Sequence, residues 1–248
     1  MVAMARTFAA ILLFLVAAAV TAASAQYQDD SVATAFFLDK DLYPGSKMTL
    51  HFTGAAAGLL QRAGTRTDAI PFTSAKIPEI LSLLSIPSTS PAAATIRSTL
   101  AACEAAPLPV TEALRCVTSP ESMADLAAAT LGTRNVRAAK TKLVSTGPRQ
   151  EYTMMSVRPV LVAGGDMVAC HRMPYPYAVF ACHATTAAVY AVELAGTAAE
   201  AKGEALAACH EDAFPGISAA EYEKLGVKPG SAPVCHFLAQ DSVLWMRN

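Results

Sequence analysis

Apolar and polar residues follow two different patterns along this chain. Between about residues 71 and 130, apolar residues recur every three to four positions, which is the spacing of one face of an amphipathic helix. From about residue 135 onward, short runs rich in valine and aromatic residues alternate with turn residues, a pattern typical of β-strands. We therefore predict an α+β fold: a single domain with helices in its N-terminal half and a mainly antiparallel, β-rich C-terminal half.

Three segments carry the helical pattern. The first, "SAKIPEILSLLSI", offers Ser74 as an N-cap before Pro78. The second is "SPAAATIRSTLAACEAA". The third, "SPESMADLAAATLG", has Ser119 as N-cap, Pro120 at the first helical position and Gly132 as a stop.

The strand pattern occupies most of the remaining chain. "AFFLDKDLYPGSKMTLHF" mixes strand-like residues with a Pro-Gly turn signal. Strands are also predicted in "KLVSTG", "QEYTMMSVRPVLVAGG", "MVACHRM", "YAVFACHA", "TAAVYAVELAG" and "SAPVCHFL". The alanine-rich stretch "GTAAEAKGEALAACH" is predicted to be a turn followed by a short helix.

The N-terminus has the layout of a secretory signal peptide. Arg6 precedes the apolar run "FAAILLFLVAAAVTAA", and Ala23-Ser24-Ala25 forms a small-residue cleavage site. An uncleaved membrane anchor is the alternative, but the run is slightly short for a span and polar residues follow it. We predict a signal peptide over residues 1–25, a short polar leader over 26–35, and a secreted protein that is not membrane-bound after cleavage.

Charge and cysteine content narrow the class of protein further. With 19 basic and 20 acidic residues, the chain has no basic surface for nucleic acid or anionic lipid. It has six cysteines, an even number in a chain predicted to enter an oxidising compartment, so disulfides are expected. The six are Cys103, Cys116, Cys170, Cys182, Cys209 and Cys235.

Four of these cysteines stand directly before a histidine. Random placement of six cysteines and five histidines in 248 residues gives about 0.1 Cys-His dipeptides, whereas the chain has four. In a strand, adjacent side chains point to opposite faces, so the cysteines would lie on one face and the histidines on the other. One face then suits disulfides, and the other suits a cluster of imidazoles.

The disulfide connectivity is open from sequence alone, because six cysteines allow 15 pairings. If Cys103 pairs with Cys116, three pairings of the other four cysteines remain. A hairpin turn at "RMPYPY" would place Cys170 opposite Cys182, and we prefer this pair together with Cys209–Cys235 on hairpin geometry.

The four histidines of the dipeptides have two interpretations. They are either polar neighbours on a solvated face or ligands of a metal, since clustered imidazoles are common ligands of copper and zinc. The candidate ligands are His171, His183, His210 and His236, with copper or zinc as the metal. Zinc-finger spacings are absent, and a Cys-His hydrolase dyad is disfavoured because adjacent residues face apart. No catalytic residue is identified.

The order of these dipeptides resembles the signature of the plant BURP-domain family. Ten, twenty-five and twenty-four residues separate the successive dipeptides. "FFLDKDLYPGSKMTLHF", "CVTSPESMADL" and "KPGSAPVCHFL" are similar to other blocks of that family, so the resemblance covers about residues 36–247. Tyr43 departs from it, because many relatives have a histidine there.

The resemblance implies two kinds of function. Many family members are secreted proteins of the plant cell wall or apoplast, including a non-catalytic polygalacturonase subunit. Others resemble copper-dependent cyclases that crosslink Tyr or Trp of peptides usually held in a long N-terminal region, which here is reduced to residues 26–35. The resemblance to these members implies copper as the cofactor, held by the four histidines of the dipeptides. We therefore rank a structural or accessory wall protein, with a polysaccharide or wall enzyme as partner, above a cyclase acting on a separate peptide.

Overall fold

The computed structural model describes residues 36–52, 70–105, 114–144, 149–198, 201–213 and 216–248. These residues belong to one compact unit, Thr34–Asn248. The predicted signal peptide, residues 1–25, and the predicted leader, residues 26–35, lie outside the described residues. Within the described ranges, no helix is both long and apolar enough to cross a membrane.

Twelve strands are found in the described residues. Their bounds are β1 (Phe36–Leu38), β2 (Lys47–Leu50), β3 (Arg115–Val117), β4 (Val136–Ala139), β5 (Lys142–Leu143), β6 (Gln150–Pro159), β7 (Met167–Arg172), β8 (Phe180–Thr185), β9 (Ala188–Gly196), β10 (Lys202–His210), β11 (Val234–Phe237) and β12 (Val243–Arg247).

All strand pairs are antiparallel, and they form two sheets. The first sheet has the order β1-β11-β10-β9-β6-β2, with β5 also pairing with β10. The second sheet has the order β3-β8-β7-β12-β4. The predicted antiparallel β-rich C-terminal half is thus confirmed, and the sheets recruit short strands from the N-terminal half as well.

In the part of the chain that the structure describes, four α-helices accompany the sheets: α1 (Ile77–Leu83), α2 (Pro91–Glu104), α3 (Pro120–Leu131) and α4 (Ala219–Leu225). The first three lie in the segments whose apolar spacing predicted helices. The prediction for α3 is confirmed at both ends, where Ser119 forms a capping box and Gly132 takes the left-handed conformation, φ 67°. The prediction for α1 needs a correction, because a short 3₁₀ turn begins at Ser74 and the residue that caps α1 is Lys76.

The alanine-rich stretch before Cys209 is strand β10 and not a helix, so that prediction was wrong. Residues Ala205–Cys209 are all buried, because β10 lies between β9 and β11 and both of its faces are covered. Small side chains suit a strand enclosed on both faces. The tertiary environment therefore overrides the helix propensity of alanine.

The two sheets pack face to face across an apolar layer. This inter-sheet layer takes residues from both sheets and consists of Met167, Ala169, Val189, Ala191, Leu206, Ala208, Leu238, Leu244 and Met246. The opposite face of the first sheet has its own core around Phe37, Tyr152 and Val192. The opposite face of the second sheet is covered by α3, through Met123, Ala127 and Leu131.

Three disulfides connect these elements. Cys103–Cys116 joins the end of α2 to β3, Cys170–Cys182 joins β7 to β8, and Cys209–Cys235 joins β10 to β11. This is the pairing that hairpin geometry favoured. All six cysteines of the chain are therefore oxidised.

Candidate metal-binding site

The two strand pairs that carry the Cys-His dipeptides repeat the same arrangement. In β7 and β8, Cys170 lies directly opposite Cys182, and Ala169 lies opposite His183. In β10 and β11, Cys209 lies opposite Cys235, and Ala208 lies opposite His236. Each disulfide is thus a direct cross-strand pair, and the two histidines beside it are diagonal neighbours on the other face.

The division of faces follows the alternation of side chains along a strand. Cys170 and Cys182 pack in the core beneath α3, whereas Cys209 and Cys235 pack in the core of the first sheet's opposite face. The histidines turn the other way, toward the layer between the sheets. An alanine opposite His183 and another opposite His236 leave room for the imidazoles.

The four histidines come together as two pairs. Nε2 of His171 lies 3.3 Å from Nε2 of His183, and the planes of the two rings are nearly parallel, with an interplanar angle of 16°. Nε2 of His210 likewise lies 3.3 Å from Nε2 of His236, with an interplanar angle of 3°. One pair comes from each sheet.

Both pairs line one cavity, and residues of the inter-sheet layer supply part of its apolar lining. Three of the four histidines are half-buried, and His236 is buried. The cavity floor is apolar. Its described lining residues are Ala169, His171, His183, Thr185, Ala187, Val189, Ala208, His210, His236, Leu238 and Leu244.

Backbone carbonyl groups orient two of the imidazole rings through their Nδ1 atoms. Nδ1 of His183 lies 3.0 Å from the carbonyl oxygen of Ala184, and Nδ1 of His236 lies 3.3 Å from that of Phe237. A carbonyl oxygen can only accept, so both Nδ1 atoms carry a proton and donate it. In the neutral form of these two residues, Nε2 therefore carries a lone pair and points toward the pair partner.

Burial holds three of the four histidines in the neutral form. Desolvation, followed by the charges of the other three histidines, lowers the pKa of His171 to about 3. Desolvation also lowers the pKa of His210 and of His236 to about 4 each. Neutral imidazole is the form that binds metals, so these three rings need no net loss of a proton to bind one at pH 5 or above.

The donor set fits a transition metal in chemistry and in spacing. Two ligands bound at about 2.0–2.1 Å in a tetrahedral arrangement lie about 3.3 Å apart, which matches the Nε2–Nε2 separation in each pair. Imidazole also suits copper. Within the described residues, no three His, Cys, Asp or Glu side chains stand close enough to form a complete ligand set, so the preformed unit is the pair.

The structure brings all four predicted histidines to one cavity. The fifth histidine, His51, is not among the described lining residues. Ser242, whose Oγ lies 3.3 Å from Nδ1 of His171, was not predicted. It lies in the loop between β11 and β12, and no feature of the sequence connects it to the histidines.

The fold and the cavity together define a class of protein: a disulfide-stabilised α+β domain with four Cys-His dipeptides in two facing sheets. The chain belongs to the BURP-domain family, whose family model, "BURP domain", matches residues 35–247.

Similar proteins come from cereals. BURP domain-containing protein 6 of Oryza sativa subsp. japonica is 59% identical over 231 residues, which cover 92% of this chain and 95% of that protein. BURP domain-containing protein 8 of the same plant is 56% identical, over 92% of this chain and 75% of the relative. Protein RAFTIN 1B of Triticum aestivum is 36% identical, over 87% and 60%. This chain therefore resembles plant proteins over almost its whole length.

Proposed function

We propose that this chain is a secreted protein of the plant cell wall or apoplast that binds copper through His171, His183, His210 and His236. The observation that carries the proposal is the gathering of four histidines, from strands far apart in the sequence, into two Nε2–Nε2 pairs on one cavity. Secretion is supported by the signal-peptide pattern at the N-terminus and by the oxidation of all six cysteines.

The protein's own contribution to the site is rigidity. A disulfide lies directly beside each histidine pair and fixes the two strands that carry it. Carbonyl acceptors orient the rings of His183 and His236. The apolar cavity floor lowers the local dielectric constant. This favours the neutral, metal-binding form of the imidazoles over the charged imidazolium form.

A structural or accessory role in the wall is the first candidate, with a polysaccharide or a wall enzyme as the partner. A rigid domain held by three disulfides and carrying a bound ion suits such a role, since neither a substrate pocket nor a general acid or base is required. Near-neutral charge is also compatible with binding an uncharged polysaccharide.

A copper-dependent peptide cyclase is the second candidate. It is favoured by the half-buried state of His171, His183 and His210, because a substrate must be able to reach a catalytic metal. When bound, copper would supply the one-electron chemistry that crosslinks a Tyr or Trp side chain. The histidines would hold the metal, and the apolar floor would keep bulk water from beneath it.

One experiment separates the two candidates. The chain from residue 26 onward is purified, its bound copper and zinc are quantified, and Tyr- and Trp-containing peptides are incubated with the copper-loaded protein and dioxygen. A crosslink removes two hydrogen atoms from the peptide, which mass spectrometry detects, while dioxygen accepts the electrons.

Stoichiometric copper without loss of mass from the peptides supports the accessory role. Copper together with crosslinked peptide overturns that role in favour of the cyclase. Failure to retain either metal contradicts both metal-dependent proposals and leaves a disulfide-stabilised wall protein without a cofactor.

A further inference from the structure

His171 differs from two of its neighbours in the partner of its Nδ1 atom. His183 and His236 face backbone carbonyls, which can only accept a hydrogen bond. His171 faces the hydroxyl of Ser242, with Nδ1 and Oγ 3.3 Å apart. A hydroxyl both donates and accepts, so this contact does not fix the position of the His171 proton.

The neighbouring histidine decides where that proton lies in the metal-free chain. Nε2 of His183 carries a lone pair, because the proton of this ring is donated from Nδ1 to Ala184. A hydrogen bond across the 3.3 Å between the two Nε2 atoms then requires His171 to donate from Nε2. Nδ1 of His171 is consequently an acceptor, and the Ser242 hydroxyl donates to it.

Metal binding requires the opposite arrangement. If Nε2 of His171 is to bind a metal, it must present a lone pair, and the proton of the neutral ring must lie on Nδ1. The Ser242 hydroxyl can then rotate about its Cβ–Oγ bond and accept from Nδ1. The proton lost at Nε2 is balanced by the one gained at Nδ1, so the ring stays neutral.

Ser242 is well placed to serve both arrangements. Only 3% of its surface is exposed, so water does not readily replace it as the partner of His171. Its backbone N–H donates to the carbonyl of Ala239 at 3.0 Å, which holds the turn before β12 while leaving the hydroxyl able to rotate.

We propose that Ser242 is a positioning residue of the metal site: its hydroxyl stabilises the Nε2-protonated form of His171 in the metal-free chain and the Nδ1-protonated form in the metal-bound chain. The inference rests on the proposed metal site. Hydrogen bonds to the non-ligating nitrogen of a metal-bound histidine typically change metal affinity by about 10- to 100-fold when they are removed.

Nuclear magnetic resonance of the histidine rings tests this directly. Long-range ¹H–¹⁵N correlations identify the protonated nitrogen of each ring, and Zn²⁺ is used as the diamagnetic probe. In the metal-free chain we expect His171 to be protonated on Nε2 and His183 on Nδ1. On addition of Zn²⁺, His171 should change to the Nδ1-protonated form, while His183 keeps its proton on Nδ1.

Substitution supplies the second measurement. A bound metal ion makes the Nδ1–H of His171 a stronger donor, so the hydroxyl stabilises the metal-bound form more than the metal-free form. Ser242→Ala should therefore weaken the binding of Zn²⁺ and of Cu²⁺ by about 10- to 100-fold. Thr99→Val is the matched control, since it removes a buried hydroxyl of α2 that donates to the carbonyl of Pro174 in the connection between β7 and β8. This control should bind both ions as the wild-type chain does.

The outcomes distinguish the inference from the proposed function. A wild-type chain that binds neither ion contradicts the metal site itself, and with it any role of Ser242 in ligation. A chain that binds metal, but whose His171 is already protonated on Nδ1 before metal is added, overturns the inference alone. So does a Ser242→Ala variant that binds metal as tightly as the wild type. If Ser242→Ala does not fold, the ring measurements on the wild-type chain still decide.

Discussion

Nε2 of His171 and Nε2 of His183 lie 3.3 Å apart, diagonally across two strands whose direct cross-strand contact is a disulfide. The second sheet and the first sheet each contain one such arrangement. The Cys-His dipeptide therefore has a physical explanation. On alternating faces of one strand, the cysteine fixes a neighbouring strand and the histidine faces the inter-sheet cavity.

Because the cysteine and the histidine of a dipeptide lie on opposite faces of a strand, replacing one should affect stability differently from replacing the other. Replacing Cys170 and Cys182 together by alanine should lower the free energy of unfolding by about 3 kcal/mol, because a short loop is no longer closed in the unfolded chain. Replacing His183 by alanine should lower it by less than about 1 kcal/mol in the absence of metal. Urea unfolding of both variants measures the difference. Equal destabilisation would contradict the division of faces.

A buried hydroxyl connects β10 to Leu238, the cavity-lining residue that follows β11. Oγ1 of Thr141 donates to the carbonyl of Leu238 at 2.7 Å and accepts from the backbone N–H of Leu206 at 3.1 Å. Thr141→Val keeps the shape but leaves both backbone groups without this partner, so it should cost about 2 kcal/mol of stability. Thr141→Ser retains the hydroxyl and is the control. A valine variant as stable as the serine variant would show that the hydroxyl contributes nothing.

Tyr175 should make the stability depend on pH in the alkaline range. Burial, and secondarily Tyr177, raises the pKa of Tyr175 above its usual value, and its O–H donates to the carbonyl of Pro71 at 3.1 Å. Above about pH 10 the unfolded chain loses this proton while the folded chain keeps it, so stability falls as pH rises.

The Tyr175→Phe variant isolates this contribution. Its free energy of unfolding should fall less than that of the wild type between about pH 10 and 11. The slopes of the free energy of unfolding against pH should differ by at most about 1.4 kcal/mol per pH unit. Urea unfolding at a series of pH values gives both slopes. Parallel slopes would mean that Tyr175 ionises equally easily in both states.

Much of the fold could be predicted from the sequence, because local patterns reflect local physics. Helix α3 was delimited at both ends by Ser119 and Gly132, which satisfy backbone groups of the helix itself. The hairpin that joins Cys170 to Cys182 also follows from a short turn. Strand β10 could not be predicted, because what makes it a strand is its enclosure between β9 and β11.

The histidines of the candidate site could be predicted from the sequence, but the meeting of the two histidine pairs could not. Alternation placed each histidine on the face opposite its cysteine. Whether the pair on β7 and β8 would meet the pair on β10 and β11 depends on how two sheets pack, which no local pattern specifies. Ser242 reaches His171 from a loop 71 residues further along the chain, and a lone serine has no sequence pattern that reveals such a contact.

Copper affinity of histidine variants tests the central claim most directly. His183→Ala combined with His236→Ala removes one imidazole from each pair, whereas His51→Ala removes a histidine that is not among the described cavity-lining residues. We expect the wild type and His51→Ala to hold copper stoichiometrically through gel filtration, and the double variant to bind at least about 100-fold more weakly. Equal copper binding by the double variant and His51→Ala, or none by the wild type, would contradict the assignment.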